Sequence, residues 1–330
     1  MSGKIGITAD WILVFLAVCL IPLLSEYLLP RLTGWSGAAY LSKPLAWLLI
    51  ALCAALLPRQ KSAGKQRLRR VLIGIACGIA LSQIYLMVFA GFLEGFGRSP
   101  YSFTAGGILS NLFNAAAVLI GMEMSRAWLI NRLARKPGFL IPVLIALFYT
   151  LLVIIPEGKF PSWGSSLEAW TEFFGATLLP VAMRQLLASF LAMWGGPLPA
   201  LAYGGILEAF EWFSPYLPDL SWLMKALAGT AVPLVGLAVV QEYYARQCAR
   251  RRRERPQARG FVATAICGVL LVAVVWFSAG VFPLRPLVIY SGSMRPAFDA
   301  GDIVLVAKRE VEQLSEGDII YYRSVDSPVP

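Results

Sequence analysis

Histidine is missing from this sequence altogether, and charge is scarce: 15% of the 330 residues are Asp, Glu, Lys or Arg, against about 25% in soluble domains. The first absence excludes, within these residues, a His-ligated zinc site and any Ser-His or Cys-His catalytic pair. The second excludes the charged surface of an ordinary soluble protein. Cysteine is sparse as well: Cys19, Cys53, Cys77, Cys248 and Cys267. Four sit in apolar runs and Cys248 in a basic segment, none with the CxxC spacing of a metal or redox site. Disulfides, a bound metal and a cofactor are therefore not expected. A leader cleavage site is also lacking. The first apolar run, from near Ala9, follows one lysine as a signal peptide would, but it has no convincing small-x-small motif and more spans follow, so it reads as a retained span. No internal repeat is evident.

What is there is apolar. Hydrophobic residues make up 58% of the chain and recur in runs of about 20 residues, the length that crosses a bilayer. The expected fold class is a polytopic α-helical membrane protein with about nine transmembrane helices, followed by the start of a small extracytoplasmic β domain. The candidate spans are 9–29, 42–58, 71–93, 107–131, 138–156, 172–194, 197–214, 220–242 and 261–282. The net charge of +10 does not indicate nucleic acid as a partner, because the cations fall in short clusters between apolar runs. The bilayer is the expected partner.

Those clusters orient the chain. Residues 59–70, RQKSAGKQRLRR, hold six Lys/Arg; 126–136, RAWLINRLARK, hold four; 246–259, RQCARRRRERPQAR, hold seven. The positive-inside rule places all three in the cytoplasm. The chain must then cross an even number of times between the second and third, which retains the weakest span, 197–214, despite its Glu208 and Glu211. Nine crossings from a cytoplasmic N-terminus put 284–330 outside a cell membrane. The domain reading is 1–256, a polytopic region of about eight helices; 257–283, the last helix; and 284–330, an incomplete β catalytic domain. The intervening loops 94–106 and 157–171 are rich in Gly, Ser, Pro and aromatics, which suits the headgroup layer.

Ionisable residues inside a membrane are costly and mark either function or internal pairing. Glu123 and Arg126, three apart, share one helix face and are expected to pair. Arg184 lies mid-span, and Glu208 and Glu211 are expected to face the bundle interior with Arg184 or Lys225 as cationic partner. The segments GMEMSRAWLINR and LAYGGILEAFEWF resemble the CAAX-protease and bacteriocin-processing family of intramembrane proteases. That family uses a paired-glutamate/arginine motif and later histidines. Here Glu123 alone stands for the pair and the histidines are absent, so this resemblance implies an inactive relative.

After Phe282 the composition changes. RPLVIY reads as a strand, SGSMRPAFDAGD as a loop, DIVLVAKR as a second strand and EGDIIYYRS as a Gly-Asp turn entering a third. Gly292 permits a tight turn and close approach of a substrate backbone, and Pro296 fixes the loop past the serines. Ser291 and Ser293 can serve one reacting centre, one hydroxyl attacking a carbonyl and the other joining a backbone N–H at the oxyanion. The residues alone leave open which does which, and a plain strand-to-strand turn has the same composition.

The stretch SGSMRPAFDAGDIVLV closely resembles the nucleophile box and following Gly-Asp box of type I signal peptidases, in the flavour of the endoplasmic-reticulum, archaeal and spore-former subfamily, and GDIIYYR matches the next box. The likeness covers about 286–324. It implies that Ser293 is the nucleophile and that Ser291 contributes to the oxyanion hole. It also implies that Met294 walls the site, that Pro296 shapes it, and that Gly301 and Asp302 form the turn bringing the next strand against the loop. It further implies a membrane-bound serine endopeptidase that cleaves signal peptides from secreted preproteins at the outer membrane surface, with those preproteins and the secretion translocon as partners. Two departures accompany it. Most members have few spans, and the family's base, a lysine or in this subfamily a histidine, is not in place. Lys308 is the sole lysine after Ser293 and lies where the family does not put its base. SVDSPVP matches the hairpin before the subfamily's histidine, which is expected a few residues beyond Pro330. The sequence therefore reads as C-terminally truncated and inactive as 1–330. The alternative, from another class, is a polytopic transport, docking or regulatory module with an inert peptidase-like tail.

Overall fold

The fold is seen in a computed structural model that describes residues 10–22, 24, 31, 38–58, 66–134, 138–157, 160–162, 166–252, 284–288, 297–298, 303–307, 317 and 319–320. The chain divides into two compact units, 1–268 and 269–330, taken here one at a time.

In the first unit the helices are α1 (Asp10–Pro22), α2 (Ala38–Leu56), α3 (Gln66–Glu94), α4 (Ala105–Leu133), α5 (Leu140–Glu157), α6 (Leu167–Glu172), α7 (Leu179–Gly195), α8 (Pro197–Phe213) and α9 (Trp222–Arg252). Strand β1 (Phe96–Arg98) follows α3, and β2 (Tyr216–Pro218) follows α8. A π-helical turn, Phe173–Leu178, joins α6 to α7 and ends with Leu179 N–H donating to Phe174 O. Local chemistry starts the helices. The Thr104 hydroxyl accepts from Gly107 N–H (3.2 Å) at the head of α4. The Glu94 carboxylate accepts from Ser221 N–H (2.6 Å) and Ser221 Oγ (2.8 Å) just before α9, placing negative charge at a helix N-terminus, where the free N–H groups and the helix dipole favour it.

The outward faces are apolar. Leu45, Leu49, Leu52 and Leu56 are exposed along α2, as are Leu81, Tyr85, Phe89 and Phe92 along α3. Water does not tolerate continuous apolar faces of this kind, and lipid does. The chain is a helical membrane protein. The expectation of about nine transmembrane helices is corrected, however. Among the described residues four helices are long and apolar enough to cross: Leu68–Glu94, Ala105–Leu133, Ala169–Gly195 and Trp222–Gln247. Three expected spans are shorter apolar helices, Asp10–Ile21, Leu41–Leu56 and Leu140–Pro156. The expected span 197–214 is α8, 17 residues carrying two carboxylates. The candidate at 261–282 lies outside the described residues. Rise per residue explains the shortfall: α1, with 13 residues, reaches about 20 Å at 1.5 Å per residue, well below the roughly 30 Å hydrocarbon layer.

Packing places the helix ends. β1 and β2 are antiparallel, with Gly97 opposite Leu217, so the α3–α4 and α8–α9 connections share one end of the bundle. The α7–α8 turn lies at the other end. It is made at Gly196, whose φ of 74° suits a residue without Cβ, and it sits beside Arg69 near the start of α3. Trp194 stacks on Tyr244 of α9 there, centroids 4.9 Å apart, and Arg132 at the end of α4 reaches Asp10 at the start of α1 (3.7 Å). Arg69, Arg132 and Arg246 therefore mark a single end. The core between the ends contains Leu129, Ile130, Leu187, Leu191 and Tyr203, all fully buried. In lipid the helices gain from close packing rather than from leaving water. At Gly121 a Cβ would stand 2.6 Å from Trp47 O, so only glycine lets α2 and α4 approach this closely.

In the second unit β3 (Leu284–Val288) pairs antiparallel with β4 (Ile303–Ala307), with Val288 opposite Ile303. The first two expected strands thus form a hairpin. Of the expected third strand, Ile319 and Ile320 are exposed and outside any strand; 316, 318 and 321–324 lie outside the described residues.

Candidate functional site

Ser291, Ser293, Met294, Pro296, Gly301 and Asp302 all lie outside the described residues, as does Lys308. What is described is their frame. The segment 289–302 leaves β3 at Val288 and returns into β4 at Ile303, and those two residues face each other across the ladder. Both ends of the serine segment are therefore tied to one hairpin.

The first unit holds a second constellation, in the half of α4 nearer Arg132. Arg126 is fully buried on α4, and its Nε lies 3.1 Å from Glu123 Oε2, the pairing expected from their spacing. This is an ion contact without hydrogen-bond alignment, since neither atom has a hydrogen-bond partner. The rest of the guanidinium is held by α7. Nη1 donates to Gln185 O (2.9 Å) and Ser189 Oγ (3.2 Å), and Nη2 donates to Gln185 Oε1. The Tyr149 ring lies beneath it, with Cζ 4.3 Å from the centroid, and Tyr149 OH bonds Ser125 Oγ at 2.7 Å. A cation removed from water is tolerated only when its charge and its donors are satisfied. Here Glu123 matches the charge, and Gln185, Ser189 and the Tyr149 ring engage the guanidinium, with Nε alone left without a hydrogen bond.

One turn away along the same groove is a second pair. Arg184 Nη2 donates to Glu208 Oε1 (2.6 Å), and Trp212 Nε1 donates to Glu208 Oε2 (3.0 Å). Arg184 is therefore the partner of Glu208, as expected. Glu211 does not face the interior; it is exposed, as is Lys225. Between the two pairs lies a cavity of about 240 Å³. Its polar lining includes Lys43, Asn114, Glu123, Arg184, Gln185, Tyr203 and Glu208. Tyr203 OH is engaged with Gln83 Oε1 (2.8 Å). The π-helical turn lies just upstream of Arg184 and Gln185, and its extra residue per turn sets which side of α7 turns inward.

Sequence reasoning flagged Glu123, Arg126, Arg184 and Glu208 and missed Lys43, Asn114, Ser125, Tyr149, Gln185 and Ser189. Polar side chains isolated in apolar runs, Asn114 and Gln185 above all, were the available signal. No family model, curated protein or solved structure matches this chain.

Proposed function

We propose that this chain is a membrane-bound serine endopeptidase of the signal-peptidase type. Ser293 attacks the carbonyl at a signal peptide's cleavage site, and Ser291 helps hold the resulting oxyanion. One observation carries the reading: Val288 and Ile303 pair across β3 and β4, so the SGSMRPAFDAGD segment is borne on a hairpin, as a catalytic loop of this kind needs. Attack transfers the hydroxyl proton to a base, and the scissile C–N bond then breaks to leave an acyl-enzyme that water hydrolyses. Residues 1–330 contain no histidine, and Lys308 is the lone lysine after Ser293. Turnover by these residues alone is therefore not expected.

The membrane topology supports the same reading. The chain from β1 to β2 starts and finishes at one end of the bundle, so it traverses the bundle an even number of times. The shared end of Arg69, Arg132 and Arg246 is the cytoplasmic one by the positive-inside rule. On the sequence reading of 261–282 as a span, 284–330 is expected at the outer surface, where preproteins present their cleavage sites.

The test is preprotein cleavage by 1–330, by a form extended through the reading frame downstream of Pro330, and by that form with Ser293→Ala. Cleavage by the extended form alone supports the assignment. Cleavage by 1–330, or by the Ser293→Ala form, overturns it. A second reading, a transport, docking or regulatory module with an inert tail, is favoured by the buried Arg126 network and its cavity. It predicts that none of the three forms cleaves.

A further inference from the structure

The cavity between α4, α7 and α8 has a chemical character that its charges do not suggest at first. Its lining carboxylates and its one lining guanidinium are already matched, Glu208 with Arg184 and Glu123 with Arg126, which is not itself part of the lining. Lys43 has a partner of its own. A charged ligand would add a charge that none of these paired groups is left to match. The hydrogen-bonding capacity left over belongs to amides. Among the described residues no partner hydrogen-bonds the Asn114 side chain. Gln185 is buried, and its Oε1 is committed to Arg126 Nη2, which turns Nε2 away from the guanidinium, with no partner among the described residues. Two carboxamides therefore line one cavity, offering both donors and an acceptor. Their natural complement is another amide, with one N–H to give and one C=O to accept.

We infer that this cavity is a binding site for an uncharged amide-bearing ligand, a short stretch of peptide main chain. Asn114 meets the peptide's N–H and C=O, and the Gln185 Nε2 group donates to a peptide carbonyl. The volume of about 240 Å³ is below that of most drug-sized pockets and suits one or two peptide groups. The inference is independent of whether Ser293 is a nucleophile.

The experiment uses the full chain in detergent micelles and measures equilibrium binding of a tri-alanine peptide blocked by acetyl and amide groups. Parallel arms use the same peptide with N-methylated amides, the same peptide with a free carboxylate, and N-methylacetamide as a lone amide. Saturable binding of the blocked peptide is expected, weakened at least tenfold by N-methylation and by Asn114→Leu. The variant Ala115→Phe fills the cavity without touching either ion pair and is expected to abolish binding while leaving the unfolding temperature near that of the parent. It serves as the control should Asn114→Leu fold poorly. Four results each overturn the inference: no saturable binding, equal binding to both cavity variants, tighter binding of the carboxylate form, or N-methylacetamide binding as tightly as the peptide.

Discussion

Replacing Arg126 with methionine keeps most of the side-chain volume and removes the charge. The arginine donates three hydrogen bonds to α7, to Gln185 O, Ser189 Oγ and Gln185 Oε1. At about 0.6 kcal/mol for a hydrogen bond between helices in a membrane, these total about 2 kcal/mol. The contact with the Tyr149 ring adds on the order of 2 kcal/mol where it is shielded from water. The larger effect is on the residue left behind. Glu123, 4% exposed, keeps its carboxylate buried with its partner gone, and breaking a buried pair in this way costs about 3–5 kcal/mol. That figure already contains part of the lost contacts, so it is the expected total for Arg126→Met. Removing both charges behaves differently. Replacing a whole buried pair by apolar residues of similar volume is often neutral or stabilising by about 1–4 kcal/mol, so Glu123→Leu/Arg126→Met should recover most of the loss. The assay is reversible unfolding in mixed micelles followed by circular dichroism, read as a double-mutant cycle. A cost below about 1 kcal/mol for Arg126→Met would refute the reasoning. So would a double variant no more stable than Arg126→Met, since either outcome means the stranded carboxylate is not what decides.

The Arg184–Glu208 pair is more open, with side chains 28% and 27% exposed, so Glu208→Gln should cost about 1 kcal/mol, clearly less than Arg126→Met in the same unfolding assay. Cysteines at Gly97 and Leu217, opposite each other in the β1–β2 ladder, should cross-link under mild oxidation in a background lacking the native cysteines; failure to cross-link would remove the evidence that both connections share an end. In that background, cysteines at Arg98 and Tyr216 should react with an impermeant reagent from outside the cell while those at Arg70 and Arg246 stay protected; labelling of position 246 from outside would invert the topology and with it the peptidase reading. Gly121→Val should separate α2 from α4, because its Cβ would fall 2.6 Å from Trp47 O, with an overpacking cost of about 1–3 kcal/mol visible as a lowered unfolding temperature.

The sequence by itself determined the class of this protein. A chain 58% hydrophobic with clustered cations has few options other than helices in a bilayer, because lipid satisfies no backbone polar group. It also determined local pairings. Glu123 and Arg126 meet because three residues bring two side chains onto one helix face. The strands at 284–288 and 303–307 were legible because β-branched runs bracket a loop rich in turn residues. Span number was not legible, because an apolar run does not by itself fix the length of the helix within it: α1 has 13 residues and α8 has 17, fewer than the roughly 20 a crossing takes. Nor was the constellation around Arg126. Its partners Gln185 and Ser189 are 59 and 63 residues away along the chain, and which faces of α4 and α7 meet depends on the π-helical turn before α7. The shared end of Arg69, Arg132 and Arg246 likewise needed the β1–β2 ribbon and the turn at Gly196 to be seen. Partners near in sequence follow from the geometry of a single helix. Distant ones follow from close packing between helices, where one glycine or one extra residue in a turn changes which side chains face each other.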